Sequence, residues 1–378
     1  MAIKGITKLP IAISKSEYIS LMNKLPFIAE KIAVLNEKYK MSVISDGLIN
    51  LLSLKESVES TRIEGTQVTF TEVVNKTHED KDWKLREVAN YQEALAYGYE
   101  QIKNGYPLTT RLILDLHRVL MDKGRGTQGG AGEFRKIQNH IGPSSDIREA
   151  VYIPIPAEEI NEYMSNWEDF TNCPQYGEAM DVSHIKQKDD SYIIDENSHP
   201  LLKVAIMHAQ FESIHPFLDG NGRMGRILIA LYMAQTKITS SPFFFVSEEL
   251  ERSKYKYYHF LNNVRGDNPK WFDWIDYFLN ATEKMADKLI EVLNKVEQIV
   301  KRGLAKCDNE TQKKVFFITT HKINVTSSDI ANRLKIHQST ARKALNALCE
   351  KNVLYKNTEK KRNIEYFNYD ILELLDDE

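Results

Sequence analysis

The chain lacks most of the features that would place it quickly. Its 378 residues hold three cysteines, Cys173, Cys307 and Cys349, with no CxxC pair among them. An odd, scattered set excludes a disulfide framework and a thiolate zinc cage, and it fits a reducing compartment. No stretch approaches the roughly 18 apolar residues that a membrane span needs. The opening "MAIKGITKLPIAISKSEYIS" has no long apolar core followed by small residues, so it does not have the form of a secretory leader. No GxxxxGK[ST] occurs, which excludes a Walker-type phosphate loop. Internal repeats and low-complexity tracts are missing as well. Neither charge dominates: 50 Lys and Arg stand against 53 Asp and Glu, a net −3, which excludes a globally basic nucleic-acid binder. The expectation is a cytoplasmic globular protein without membrane contact.

What is present is mostly helical pattern. Forty-two per cent of residues are hydrophobic, enough for a real core, and the length suits two or three domains. Apolar residues recur at three and four over 21–40, 46–65, 83–102, 108–121, 157–172, 201–213, 223–235 and about 270–302. Gly65 suits the C-terminal cap of the second of these. The stretch 128–156, "QGGAGEFRKIQNHIGPSSDIREAVYIPIP", breaks the habit. Short β-favouring pieces flank a Gly-Pro-Ser-Ser turn there, which predicts a hairpin of Ile137–Ile141 against Ala150–Ile153. Residues 181–200, "DVSHIKQKDDSYIIDENSHP", are polar and without period, as in a surface loop.

Near residue 300 the composition shifts. Residues 301–369 carry 15 Lys and Arg against 6 Asp and Glu. "NVTSSDIANRLKIHQSTARKALNALCEKNVLYKN" predicts a short helix capped by Ser327 or Ser328, with Ile330, Ala331 and Leu334 inward. A tight turn through Lys335–His337 follows, then a second helix over Ser339–Glu350 with Ala344, Leu345 and Leu348 inward. Two short strands around a basic turn complete the outline of a winged helix-turn-helix. Ser339, Arg342 and Lys343 on the second helix, with Lys360, Lys361 and Arg362 in the turn, are the candidate DNA contacts. Winged helices also dock proteins, and that alternative stays open.

The chemistry concentrates in "FESIHPFLDGNGRMGRILI", residues 211–229. Pro216 prevents the preceding helix from continuing past His215. The "DGNG" that follows tolerates positive φ and leads into a new helix around Asn221–Arg223. Free N–H groups at that helix start, with glycines that let a ligand approach, form an anion site. Arg223 and Arg226, three apart, share one face of the first turn. Asp219 beside them would repel phosphate unless a cation intervenes, and Mg²⁺, which takes few carboxylates and shares phosphate oxygens, is the natural choice. His215 is the group there that can accept a proton near neutral pH. No adjacent Ser or Cys supplies a covalent nucleophile.

HPFLDGNGRMGR resembles the signature of the Fic family, HPFx[DE]GNGRxxR, at every fixed position. The resemblance implies a compact helical core that transfers AMP from ATP to a protein hydroxyl. In that scheme His215 deprotonates the hydroxyl, and Asp219 holds Mg²⁺ on the α- and β-phosphates. Gly220, Asn221 and Gly222 form the anion hole, Arg223 and Arg226 bind the β- and γ-phosphates, and Phe217 is a core anchor. A relative in the wider superfamily acts as a kinase with Lys in place of Gly222, so the glycine favours AMP transfer. "GEFRKIQNHIG…AVYIPIP" looks like the family's flap, about 137–153. The resemblance makes Ile137, Gln138, Asn139, His140, Ile141, Tyr152 and Ile153 the target-docking residues, by strand addition. His140 departs from the bulky apolar residue common there.

Upstream, "SVESTRIEGT" contains Ser60-x-x-x-Glu64-Gly65, which looks like the family's inhibitory [ST]xxxE[GN] motif. Glu64 would pair with Arg226 and take it from the γ-phosphate.

The fold expected is therefore mainly α: a helical Fic core with a β-hairpin flap, plus a C-terminal winged helix domain. Its expected parts are an N-terminal helical region over 1–105 with the inhibitory motif at 60–65, a catalytic core over 106–285, a linker helix over 286–302 and the winged helix over 303–378. Implied partners are ATP, a protein substrate that includes the chain itself, DNA through the C-terminal domain, and a second copy, since family members often dimerise. Two alternatives remain open: AMP removal by the same site, and a nucleotide-sensing DNA-binding regulator.

Overall fold

Pro26 sits inside the first helix without ending it. The computed structural model describes residues 2–42, 44–75, 82–122, 130–144, 146–173, 179–185, 189–357 and 363–376, with backbone alone at 45 and 46. Along the chain run β1 (Ile3–Lys4), β2 (Ile11–Ser14), α1 (Lys15–Met41), α2 (Ser45–Ile63), α3 (Phe70–Asn75), α4 (Trp83–Lys103), α5 (Thr110–Leu120), β3 (Tyr152–Ile153), α6 (Ile160–Asn172), β4 (Ser191–Ile194), α7 (Pro200–Ile214) and α8 (Asn221–Gln235). Then follow α9 (Ser247–Arg252), α10 (Lys254–Asn263), α11 (Trp271–Ala305), α12 (Glu310–Thr319), β5 (Asn324–Thr326), α13 (Ser327–Leu334), α14 (Gln338–Glu350), β6 (Tyr355–Lys356), β7 (Glu365–Phe367) and α15 (Tyr369–Asp376). Two compact units result. One holds 1–33, 59–67 and 81–286, the other 34–58, 68–80 and 287–378, so the division falls within α1, α2 and α11.

The larger unit is built around α7, which is buried at every residue from Leu201 to Ile214. A helix enclosed on all sides is a core helix. Its polar groups therefore have to find partners inside. Lys203 Nζ donates to Thr171 O (3.3 Å) and Glu196 O (2.7 Å). Carbonyls of α7 also accept the indole N–H groups of buried Trp167 and Trp274, at Met207 and Ala205. Helices α6 and α8 pack on α7, and α4 packs on both α5 and α8.

Two local expectations are corrected in this unit. The hairpin of Ile137–Ile141 against Ala150–Ile153 reduces to one antiparallel bridge, Ile141–Tyr152. The turn between them contains a short 3-10 piece, Ile147–Glu149, and β3 pairs in parallel with β1 instead. The polar stretch 181–200 is not all loop, because β4 pairs antiparallel with β2. Four residues with Ile194 alone buried give too little alternation to recognise. Their partner lies near the N-terminus, so no turn announces the pairing.

The smaller unit contains a three-stranded antiparallel sheet in the order β5-β7-β6, with α12, α13 and α14. Ile330, Leu345, Leu348, Val315, Phe316 and Tyr366 fill its core. The cap of α13 is Thr326 rather than Ser327 or Ser328. Its side chain accepts from Asp329 N, and Asp329 accepts from Thr326 N, a reciprocal box. Helix α14 begins at Gln338, one residue earlier than its pattern predicts. Ser339, Arg342 and Lys343 are exposed, while Lys360, Lys361 and Arg362 lie outside the described residues.

Candidate active site

Local geometry brings the α7–α8 joint together before any long-range contact is counted. His215 ends α7 in the left-handed region (φ 51°, ψ 58°), an uncommon conformation for a side-chain-bearing residue. Gly220 precedes α8 at φ 79°, where glycine carries no Cβ penalty. Between them Asn221 closes the loop on itself: Oδ1 accepts from Phe217 N (2.9 Å) and Nδ2 donates to Phe217 O (2.8 Å). The Asn221 side chain is thus committed, which leaves its backbone N–H for a ligand. No side chain caps α8, and Met224 N makes the first backbone bond of its N-terminus, to Gly220 O. Open N–H groups at an uncapped helix start are able to receive an anion.

The proton chemistry is set by what holds His215. Its Nδ1 lies 3.2 Å from Glu212 O. A carbonyl accepts only, so Nδ1 carries the hydrogen and donates. Nε2 is left with its lone pair open. Burial pushes the imidazole down to about 4; Arg265 and Arg135 act in the same direction, against the Glu212 carbonyl and Glu64. His215 is therefore neutral near pH 7.

Asp219 is roughly half exposed, and its Oδ1 accepts from Gly220 N (2.6 Å) with Arg223 Nη2 at 3.6 Å. Among the described residues no group of three or more His, Cys, Asp or Glu converges as a metal cage. One accessible carboxylate beside open N–H groups fits a Mg²⁺ that takes its other ligands from phosphate and water.

Across the loop stands the end of α2. Thr66 N bonds Thr61 O (3.2 Å) and Gly65 N bonds Arg62 O (2.9 Å), with Gly65 at φ 91°. That is a Schellman turn, and it requires the glycine. It delivers Glu64 to α8. Arg226 Nη2 donates to Glu64 Oε1 (2.6 Å) and to Ser60 O (2.9 Å), and Arg226 Nε donates to Ser60 Oγ (2.8 Å). Arg226 is 1 % exposed at its side chain, Glu64 37 %. Burial works to raise the Glu64 carboxyl, but the charge and hydrogen bond of Arg226, with Arg223 and His215, hold it below its ordinary range. Gly222 lies against this pair: a Cβ there would stand 2.1 Å from Glu64 Oε1.

Several contributors have no signal in the motif. Buried Glu87 pairs with Arg223 (3.4 Å) and accepts from Thr66 Oγ1 (3.2 Å). His117 Nε2 donates to Asp219 O, its Nδ1 accepts from Gly132 N, and its ring stacks on Phe217 at 3.6 Å. Phe217 is fully buried. Arg135 donates to His215 O, Ile137 O and Ile155 O, so it ties both ends of the 137–155 segment to the histidine. The arginine in "GEFR" is visible in the sequence, but its partners are not. Of the flap residues, Ile137 and Gln138 are exposed, and Asn139, His140, Ile141 and Ile153 half-buried. Tyr152 is fully buried with its hydroxyl on Ser213 O (2.7 Å), so its side chain serves the core instead of a target.

Fold and site together define a helical protein that presents an uncapped helix start beside a histidine. Residues 107–233 match the Fic/DOC family model and residues 29–100 the Fic/DOC family N-terminal model, so the chain belongs to the Fic/DOC family. It is distantly related to the protein adenylyltransferase Fic of Drosophila willistoni, 26 % identical over 234 residues, and of Drosophila melanogaster, 26 % over 237. Each match covers 60 % of this chain but 40 % of the relative, so the likeness spans about two fifths of those proteins. A Fic family protein from Desulfovibrio desulfuricans shares the fold at TM-score 0.57 and 19 % identity, over 96 % of this chain and 98 % of that one. A Fic domain containing signaling protein from Bacteroides thetaiotaomicron does so at TM-score 0.51 and 18 % identity, over 70 % and 97 %. No described helix is long and apolar enough to cross a membrane.

Proposed function

We propose that the chain is a self-inhibited protein adenylyltransferase that moves AMP from ATP to a Ser, Thr or Tyr hydroxyl of a protein. The observation that carries this reading is the bond from Arg226 to Glu64 at 2.6 Å, beside a histidine whose Nε2 is open. His215 Nε2 takes the proton of the acceptor hydroxyl. The hydroxyl oxygen then bonds to the α-phosphorus as the bond to the β-phosphate breaks, and pyrophosphate leaves. Arg223, Arg226 and the N–H groups of Asn221 and Gly222 receive the charge of the phosphates, whereas the Gly220 N–H, expected in the same anion hole, is held by Asp219 Oδ1. Mg²⁺ at Asp219 supplies charge neutralisation between phosphate oxygens when bound. The 137–153 flap, whose residues 137–140 pair with no strand, takes the target by strand addition.

Inhibition follows from a competition for one guanidinium. While Glu64 and Ser60 hold Arg226, the γ-phosphate has no partner there, and ATP sits in a pose unsuited to in-line attack. The C-terminal helices and sheet form a winged helix in this proposal, with Ser339, Arg342 and Lys343 toward DNA. The test is incubation with α-labelled ATP and Mg²⁺, alone and with lysate. Protein label should appear with Glu64→Gly and be absent with Glu64→Gly/His215→Ala. Equal label in both variants would remove His215 as the base. No label in either, with ATP binding intact, would overturn the transferase reading.

A further inference from the structure

Two buried arginines outside the motif converge on His215, and one of them shares the oxygen that orients it. Arg265 follows α10 and is 6 % exposed. Its Nη2 donates to Glu212 O at 3.2 Å, the same oxygen that accepts from His215 Nδ1 at 3.2 Å. Nε donates to Ser213 Oγ (3.1 Å) and Nη1 to Asn262 Oδ1 (2.8 Å). The guanidinium also lies 4.0 Å from the centroid of the Tyr152 ring, whose hydroxyl returns to Ser213 O. None of these partners is an anion. A buried cation held by a carbonyl, a hydroxyl, an amide and a ring keeps much of its field: little water screens it, and the Glu212 carboxyl that acts on it is pushed up to about 7 by burial and so is only partly ionised near neutrality.

We propose that Arg265 is a positioning residue for His215: it pins the carbonyl that selects the imidazole tautomer, sets a fixed positive charge beside the ring, and links both to the base of the flap through Tyr152. The consequence for the reaction is direct. A base must arrive without its proton, and a neighbouring cation makes the imidazolium costly. Four groups face His215: Arg265 from the segment after α10, Arg135 from the segment before the flap, Glu64 from the end of α2 and the Glu212 carbonyl from α7. Burial is the largest cause of the lowered imidazole, and Arg265 the largest among the charges; Arg135 adds to it, while the carbonyl and Glu64 oppose. Tyr152 gives the flap a mechanical stake in the same arginine, since β3 cannot shift without moving the ring that Arg265 covers.

This inference rests on His215 as the base of AMP transfer, and its test separates the two. The full chain with Glu64→Gly is compared with the same chain carrying Arg265→Gln, Arg265→Lys or Asn262→Asp. Ring-carbon NMR follows the His215 titration, with a His215→Gln sample for assignment, and label transfer is measured against pH. Asn262→Asp is the near-isosteric control for folding, because it sets a carboxylate on Arg265 without removing a side chain. Arg265→Gln and Asn262→Asp should each increase the protonated fraction of His215 about tenfold at a pH well above its midpoint. The acid limb of transfer should move to higher pH with them, and Arg265→Lys should leave both near the parent. An unmoved His215 titration in Asn262→Asp, or equal movement in the Gln and Lys variants, would overturn the proposal and reduce Arg265 to packing. A chain that titrates as stated yet transfers no label would remove the transferase reading and leave the positioning role standing.

Discussion

The molecule uses the same helix stop twice. Helix α7 passes to α8 through a non-glycine residue in the left-handed region, His215, and α13 passes to α14 through another, Lys335 (φ 53°). In both, the N–H of that residue closes on the carbonyl four positions back, Phe211 in one and Ala331 in the other. The second helices differ. At α14, His337 accepts from Ser339 N, so the helix caps itself. At α8, Gly220 offers no side chain, and the first N–H groups stay open. A self-capped start with an exposed lysine at the turn is complete as a structural element. An uncapped start beside a half-buried histidine has unmet hydrogen-bonding capacity, which a phosphate would supply in the proposed function. Two joints that share a helix stop thus differ in what caps the following helix, His337 in one and no side chain in the other.

The comparison breaks most visibly at the turn residue. In a Glu64→Gly background, His215→Ala should lower transfer by at least about a hundredfold, the usual scale of a general base, with nucleotide affinity retained. Glu64→Gly alone should raise transfer by about tenfold or more, the scale of a coupling of 1–3 kcal/mol, measured as label per minute at fixed ATP. The Glu64–Arg226 pair also carries a pH signature. The folded carboxyl lies below its unfolded value, so the pair's contribution is complete above 4.5 and is lost as pH falls through the folded value. The melting-temperature gap between the chain and Glu64→Gln should therefore be flat near neutrality and close below pH 4.5. On the α14 side, Arg342→Ala with Lys343→Ala should reduce the log–log salt slope of DNA binding by about 2, with label transfer unchanged. The smallest effect belongs to Lys335→Gly, which should alter stability by no more than about 1 kcal/mol, since relief of left-handed strain is offset by backbone entropy.

Much of the site was legible because its elements are local. HPFLDGNGR holds the helix stop, the positive-φ position and the helix start in one run, and Glu64 stands beside the glycine that turns it. Fold class came from periodicity in the same way, since amphipathic helices write their burial at three and four. What stayed hidden has its cause elsewhere in the chain. Arg265 and Glu87 become meaningful only where α7, α8 and α4 meet, and no spacing in the sequence brings them together. The pairing of β2 with β4 joins short strands from distant segments, so neither strand has enough alternation to declare itself. His117 lies on an amphipathic helix, where a histidine more often satisfies a core than supports a loop.

The central claim is that the open N–H groups and Arg226 serve the leaving phosphates while His215 directs attack at the α-phosphorus. It is tested most directly by giving Glu64→Gly protein ATP labelled at the α-phosphate in one sample and at the γ-phosphate in another. The account predicts protein label from the α-position alone, with labelled pyrophosphate in solution from the γ-sample. Protein label from the γ-position would contradict it, because the group transferred would then be phosphate and Arg226 would be holding the reacting end of the nucleotide.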